Sequence, residues 1–361
     1  MLPEARASLT EALSLLPGNP SALHGAGLEA ADAVSRCRAA LADAIGAMPS
    51  EIIFTSGATE SNNLALKGHY SQRANEKRRH LIISATEHKC IFAIADYLSR
   101  TQNVDVSIAK PSKDGTVQAE DIEQLLRPET SLVSVMHVNN EIGTINPLQE
   151  IGKLCSSRKV AFHSDAAQGF LKDTLDVDDY NLDYLSISAH KIGGPKGIGA
   201  VYIRDQRNRE IEPTIHGAGQ EDGLRGGTLP APLIHAFGSA IDHFPAAYAA
   251  LCKMALTEVL MSTLSENNVE FIVNGTPRSH LISLTLPKTD VASLLRIEDR
   301  RFSIATGSAC SSKEIEISHV LEVIGLNREL ADKTLRISFS HLVKPSDAVD
   351  LGQMIHQYES A

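Results

Sequence analysis

The chain has 361 residues, 43% hydrophobic and 22% charged, with a formal net charge of −10. That is the composition of an ordinary globular protein, and the length suits two lobes better than one core. The negative balance speaks against nucleic acid as the principal ligand, and no apolar run reaches the ~20 residues of a membrane span.

The opening "MLPEARASLTEALSLLPGNP" mixes acid and base and lacks a signal peptide's apolar centre, so a cytoplasmic location is expected. Further on, short runs rich in Val, Ile and Leu read as strands: "EIIFTSG", "HLIISA", "SLVSVMHV", "KVAFHSDAA", "DYLSISAH" and "GIGAVYIR". Between them "TESNNLALKGHYSQR", "KCIFAIADYLSR", "AEDIEQLLR" and "LQEIGKLCSSR" space their apolar residues as helices do. The alternation predicts an α/β domain over residues 1–244, built on a mostly parallel or mixed sheet. From Pro245 a long helical pattern runs through "AAYAALCKMALTEVLMSTLSEN". Then "EFIVNG", "HLISLTLP", a helix near "VASLLRI" and "LRISFS" predict a smaller α+β domain over residues 245–361.

Polar residues follow the predicted strands. Gly57 to Thr59 come after "IIFTS", Asn139 and Asn140 after "VSVMHV", Asp165 after "VAFHS", and His190 and Lys191 after "YLSISA". Ligands of open α/β sheets gather at such carboxyl ends, so one site is expected there. Lys191 reads either as a solvated lysine or as an amine forming a Schiff base with a carbonyl, pyridoxal phosphate included. The glycines of "HKIGGPKG" permit a close approach, although the GK[ST] ending of a phosphate-binding Walker loop is missing. Asp165 is either a turn residue or the anion that a protonated pyridine needs, with Gln168 placed to bond the ring oxygen. Gly57, Ala58 and Thr59 open a helix whose amino end favours a phosphate, and a plain Thr cap is compatible with that. His88 reads as a loop histidine or as a ring stacked on a flat cofactor. No metal is expected at His88 and Cys90, since no ligand cluster accompanies them.

Five cysteines, odd in number and without CxxC, exclude a disulfide framework or zinc knuckle. Cys37, Cys90, Cys155 and Cys252 sit in helix-like or apolar contexts and read as small packed hydrophobes. Cys310 differs: in "IATGSACSS" no bulky neighbour surrounds it, leaving an accident, a redox-sensitive thiol, a ligand or a nucleophile.

Taken in order, "FTSGATESNN", "TEHK", "MHVNNEIG", "HSDAAQ", "SAHKIGGPKGIGAVYIR", "HGAGQEDGLRGGTLP" and "ATGSACSS…SHVLEVIGL…LRISFS" resemble the cysteine desulfurases of the IscS/NifS type, group I, among the class V enzymes. The resemblance runs from about Pro3 to the end. It implies fold type I: a large domain on a seven-stranded sheet plus a smaller α+β domain. It also implies pyridoxal phosphate on Lys191, with Asp165 at the pyridine nitrogen, Gln168 on the ring hydroxyl and His88 stacked on the ring. Thr59, Ser188 and His190 would hold the phosphate, and Thr228 would reach the phosphate of the other subunit in a homodimer. Asn140 and Arg336 would bind the substrate carboxylate. Cys310 would take the sulfur of L-cysteine as a persulfide, leaving alanine, and carry it to an acceptor protein of iron–sulfur cluster assembly or of tRNA or DNA thiolation. A selenocysteine lyase or aminotransferase would need no loop cysteine; a non-catalytic paralogue would not need the intact Lys191, Asp165, His88 and Cys310.

Two departures from the family pattern carry expectations of their own. Relatives start with a strand containing Asn/Ala-Thr-Thr-Pro ahead of the part that matches "LPEARASL", so an active-site edge and a small-domain strand are expected to be missing. Only 25 residues follow Arg336, fewer than in relatives that dock a scaffold through a C-terminal extension.

Overall fold

Short strands rich in β-branched residues assemble into a seven-stranded sheet: β1 (Ile52–Thr55), β2 (His80–Ser84), β3 (Asp105–Ala109), β4 (Thr130–Ser134), β5 (Ala161–Asp165), β6 (Tyr184–Ser188) and β7 (Gly199–Ile203). Their spatial order is β1-β7-β6-β5-β4-β2-β3. β2 to β6 pair in parallel, and β7 runs against both β6 and β1. Every residue of β1, β2, β4, β6 and β7 is buried, which is why they read as continuous apolar runs. β3 escapes the sequence reading because it is the edge: it pairs with β2 alone, and Asp105 and Ile108 are exposed.

The computed structural model describes residues 1–72, 75–249, 253–276, 280–297, 302–306 and 317–360. The chain divides into two units, Met1–Ala109 with Ala119–His137 and Pro147–Ala246, and Lys110–Gln118 with Val138–Asn146 and Ala247–Ala361. The first holds the seven-stranded sheet and the helices around it. Helix α1 (Pro3–Leu15) begins with proline at its first position, and α2 (Gly25–Asp43) is capped by His24, whose Nδ1 accepts from the Gly27 amide at 3.2 Å. Helix α3 (Ala58–Ser71) follows β1, and α4 (Lys89–Gln102) follows β2. α4 buries Ile91, Ile94, Ala95 and Leu98, a single stripe at i, i+3, i+4 and i+7. These pack with Leu64, Leu66, Ile83 and Leu132 in the core. Each such Leu or Ile contributes about 1.5–3 kcal/mol when fully buried.

The second unit carries a four-stranded antiparallel sheet. Its strands β8 (Ile272–Asn274), β9 (Leu281–Thr285), β10 (Ala305–Thr306) and β11 (Thr334–Ser338) lie in the order β10-β11-β9-β8. The helix Pro345–Ser360 packs closely on the helix Lys253–Glu266: a Cβ on Gly352 would lie 2.7 Å from the Thr263 methyl. The helix expected from Pro245 in fact starts at Ala231 and carries Pro245 inside it, and a further helix begins at Lys253. Proline reads as a helix start, but "APLIHAFGSAIDHF" before it is itself a good helical stretch. Among the described residues no helix is long and apolar enough to cross a membrane.

Candidate active site

The carboxyl ends of β1, β5 and β6 lie on one edge of the large sheet. Thr55, Gly199 and Ser188 are register partners across β1, β7 and β6, and Asp165 pairs with Ser186. Gly57 caps α3 with φ +150, and a Cβ on Gly199 would come within 2.6 Å of the Gly57 Cα and 2.5 Å of the Ile187 carbonyl. Only glycine lets the two backbones meet there.

This close approach brings the start of α3 beside Ser188. Among the described residues no side chain caps the helix, and its first N–H groups have no intrahelical acceptor. Ala58 is thus the first helical residue and Thr59 the second, two positions past the cap rather than the cap itself. The Ser188 hydroxyl is 2.9 Å from His190 Nδ1, on the one-turn helix Ala189–Ile192 that also carries Lys191. Burial and then the charges of Lys191, Lys196 and Lys172 lower the His190 pKa. An open helix start in a cationic surrounding suits an anion with several oxygens.

Asp165 closes β5 and is buried. Its Oδ1 accepts from the Ala167 amide at 2.9 Å and its Oδ2 from Asn62 Nδ2 at 2.8 Å. Asn62 Oδ1 is buried with no partner among the described residues. Gln168 Oε1 accepts from Lys172 Nζ at 3.3 Å. His88 caps α4, its Nδ1 accepting from the Cys90 amide.

Sequence reasoning missed three participants. Glu60, in the first turn of α3, accepts from the Ser56 amide at 2.8 Å and pairs with Arg225 Nε at 2.9 Å. Burial opposes its charge, but the bonds from Arg225 and Ser56 prevail and hold its pKa below the usual carboxylate range. Arg225 lies three residues before Thr228, an exposed residue of the same unit, so Glu60 ties the loop of Thr228 to the start of α3. Glu87, in "TEHK", is buried, and burial followed by the Asp165 charge raises its pKa well above normal.

In the second unit, Arg336 on β11 donates from Nη1 to the Asn140 carbonyl at 3.4 Å. The Asn139 side chain accepts from the amides of Glu141 and Ile142 at 2.8 and 2.9 Å, fixing the turn that contains Asn140. Cys310 lies outside the described residues.

The model of the Aminotransferase class-V family matches residues 3–351. The mitochondrial cysteine desulfurase of Eremothecium gossypii is 42% identical over 339 residues, 92% of this chain and 68% of that protein. The cysteine desulfurase IscS of Rickettsia felis is 40% identical over 347 residues, 92% of this chain and 83% of that protein. Among solved structures, SspA in complex with cysteine superposes with a TM-score of 0.83 at 40% identity, covering 94% of this chain and 96% of its own. The chain belongs to the class V aminotransferases, enzymes of fold type I, and within them to the cysteine desulfurases.

Proposed function

We propose that the strand-end cluster of the large unit holds pyridoxal phosphate and that the enzyme uses it to take sulfur from L-cysteine. The open start of α3 beside Ser188, with Asp165 fixed by one donor from α3 and one from the turn after β5, is the observation that carries this reading. The residues present fit the group. Gly57, Ala58, Thr59, Ser188 and His190 would hold its phosphate, and Lys191 would supply the amine that anchors it. Asp165 would keep the proton on the ring nitrogen, Gln168 would bond the ring hydroxyl, and His88 would cover the ring and move protons at the substrate. Bound there, the cofactor supplies an electron sink.

The remaining roles belong to this chain's own residues. The guanidinium of Arg336, with Asn140, would clamp the substrate carboxylate, for which a planar fork is well suited. Cys310, as a thiolate, would attack the substrate sulfur. An S–S bond forms, the substrate's Cβ–S bond breaks, and the pair left on Cβ takes a proton to give alanine. The persulfide then passes to an acceptor protein, of iron–sulfur cluster assembly or of tRNA or DNA thiolation. The cysteine held by SspA supports L-cysteine as the substrate. Residues 1–244 would bind the cofactor and 245–361 would carry the sulfur. Thr228 would complete the partner's phosphate site in a cytoplasmic homodimer.

The test uses purified chain supplied with pyridoxal phosphate. It should absorb in the visible and turn L-cysteine into alanine, with sulfide released by a thiol reductant. Lys191→Ala should lose both the absorbance and the turnover. A wild-type chain that stays colourless would refute the reading.

A further inference from the structure

The reading above gives Cys90 no task, and the sequence suggests mere packing. Its side chain does abut the core, but its sulfur faces the polar cluster. Asn62 Nδ2 carries two protons: one goes to Asp165 Oδ2 at 2.8 Å and the other to Cys90 Sγ at 3.3 Å. His88 Nδ1 accepts the Cys90 amide proton at 3.2 Å, and a ring nitrogen that accepts carries no proton of its own. His88 is therefore protonated on Nε2. The Cys90 sulfur stands 3.0 Å from that same Nδ1, so in this contact the thiol is the donor, sharing the nitrogen's single lone pair with the amide. Donation requires a protonated thiol. Burial first, and then the Asp165 charge, push the Cys90 pKa up to about 12, so the proton is retained.

We propose that Cys90 is a positioning residue of the active site. Its S–H fixes the imidazole of His88, while its sulfur holds Asn62 and, through Asn62, Asp165. One hydrogen-bonded chain thereby sets groups from α3, α4 and β5. The proposal rests on the assignment of His88 and Asp165 to the cofactor; the contacts themselves do not.

Packing and hydrogen bonding predict opposite rankings of two substitutions. Cys90→Val fills the space and cannot donate, whereas Cys90→Ser donates and accepts but packs less well. In the full-length enzyme loaded with pyridoxal phosphate, Cys90→Ser should stay near wild-type kcat. Cys90→Val and Cys90→Ala should lose about three- to tenfold, the worth of one hydrogen bond. A second readout needs no cofactor. In 15N spectra of histidine-labelled protein before loading, the His88 ring signals, assigned through His88→Gln, should move in Cys90→Val and Cys90→Ala and stay in Cys90→Ser. If Cys90→Val keeps both the His88 signals and kcat while Cys90→Ser does not, Cys90 is a packing residue and the proposal is overturned. Should the valine variant fail to fold, the alanine variant decides in the same way. If the wild-type chain takes up no pyridoxal phosphate while the His88 signals still move as expected, the cofactor assignment falls and the hydrogen-bonded chain stands.

Discussion

Replacing Glu221 by alanine should cost about 2–4 kcal/mol of stability, and the local contacts supply the figure. The Glu221 side chain is 2% exposed and forms a two-point pair with Arg38, at 2.5 Å to Nη2 and 3.0 Å to Nη1. The same carboxylate accepts the Phe54 amide of β1 at 2.6 Å. Breaking a fully buried pair costs about 3–5 kcal/mol, but the Arg38 side chain is 21% exposed and recovers some water, which lowers that share. The buried Phe54 N–H would keep no such relief, and an orphaned donor adds about 1–3 kcal/mol. The chain contains no tryptophan, so unfolding in urea is best followed by circular dichroism. The midpoint should fall by several tenths of a molar, up to about 1 M, at unchanged slope. A cycle of Glu221→Gln and Arg38→Met should show coupling of about 0.5–3 kcal/mol. A midpoint shift near zero for Glu221→Ala, or no coupling in the cycle, would refute the reasoning.

Two further outcomes are expected. Cys310→Ser should still change the absorbance of the bound cofactor when cysteine is added, while alanine formation drops by orders of magnitude, because a hydroxyl attacks sulfur far less well than a thiolate; near-normal alanine production would remove Cys310 from the mechanism. Stability should also decline on acidification. Burial pushes His163, and burial with nearby arginines pushes His69, down to about 3, against 6.5 unfolded. Between those values the unfolded chain binds more protons, so stability is present above pH about 6.5 and is lost as the pH falls, by up to ~1.4 kcal/mol per pH unit and histidine. His163→Gln should flatten that slope in urea titrations at several pH values, and an unchanged slope would count against the neutral buried ring.

The strand-end placement of Asp165, His190 and Lys191 was legible because strands buried on both sides read as apolar runs, and polar residues at their ends stand out. β3 was not, since an edge strand with one neighbour needs no such run. Asn62, Cys90, Glu60 and Arg225 were hidden for a different reason. Asn62 meets Cys90 across 28 residues of chain and Asp165 across 103, and Glu60 meets Arg225 across 165. No local pattern announces such meetings; an Asn in a first turn or a Cys in an amphipathic helix looks the same whether or not it faces a site. Cys310 was singled out by its Gly/Ser surroundings, a purely local signal, Asn140 by its place after a predicted strand, and Ser188 and Arg336 by resemblance alone.

The place of β7 has a consequence for synthesis. β1 is complete by Thr55, yet its neighbour in the sheet begins only at Gly199. A chain growing from the ribosome therefore carries Ile52, Ile53 and Phe54 as an unpaired apolar strand until about 150 more residues have emerged, which at about 5–20 residues per second is several seconds or longer. During that interval the edge is open to wrong pairing. The turn at Gly57 cannot close either, because the backbone that seats it arrives with Gly199. A nascent chain that stops short of β7 thus has neither a shielded first strand nor a place for an anion, and exposure to aggregation ends at the same moment that ligand binding becomes possible.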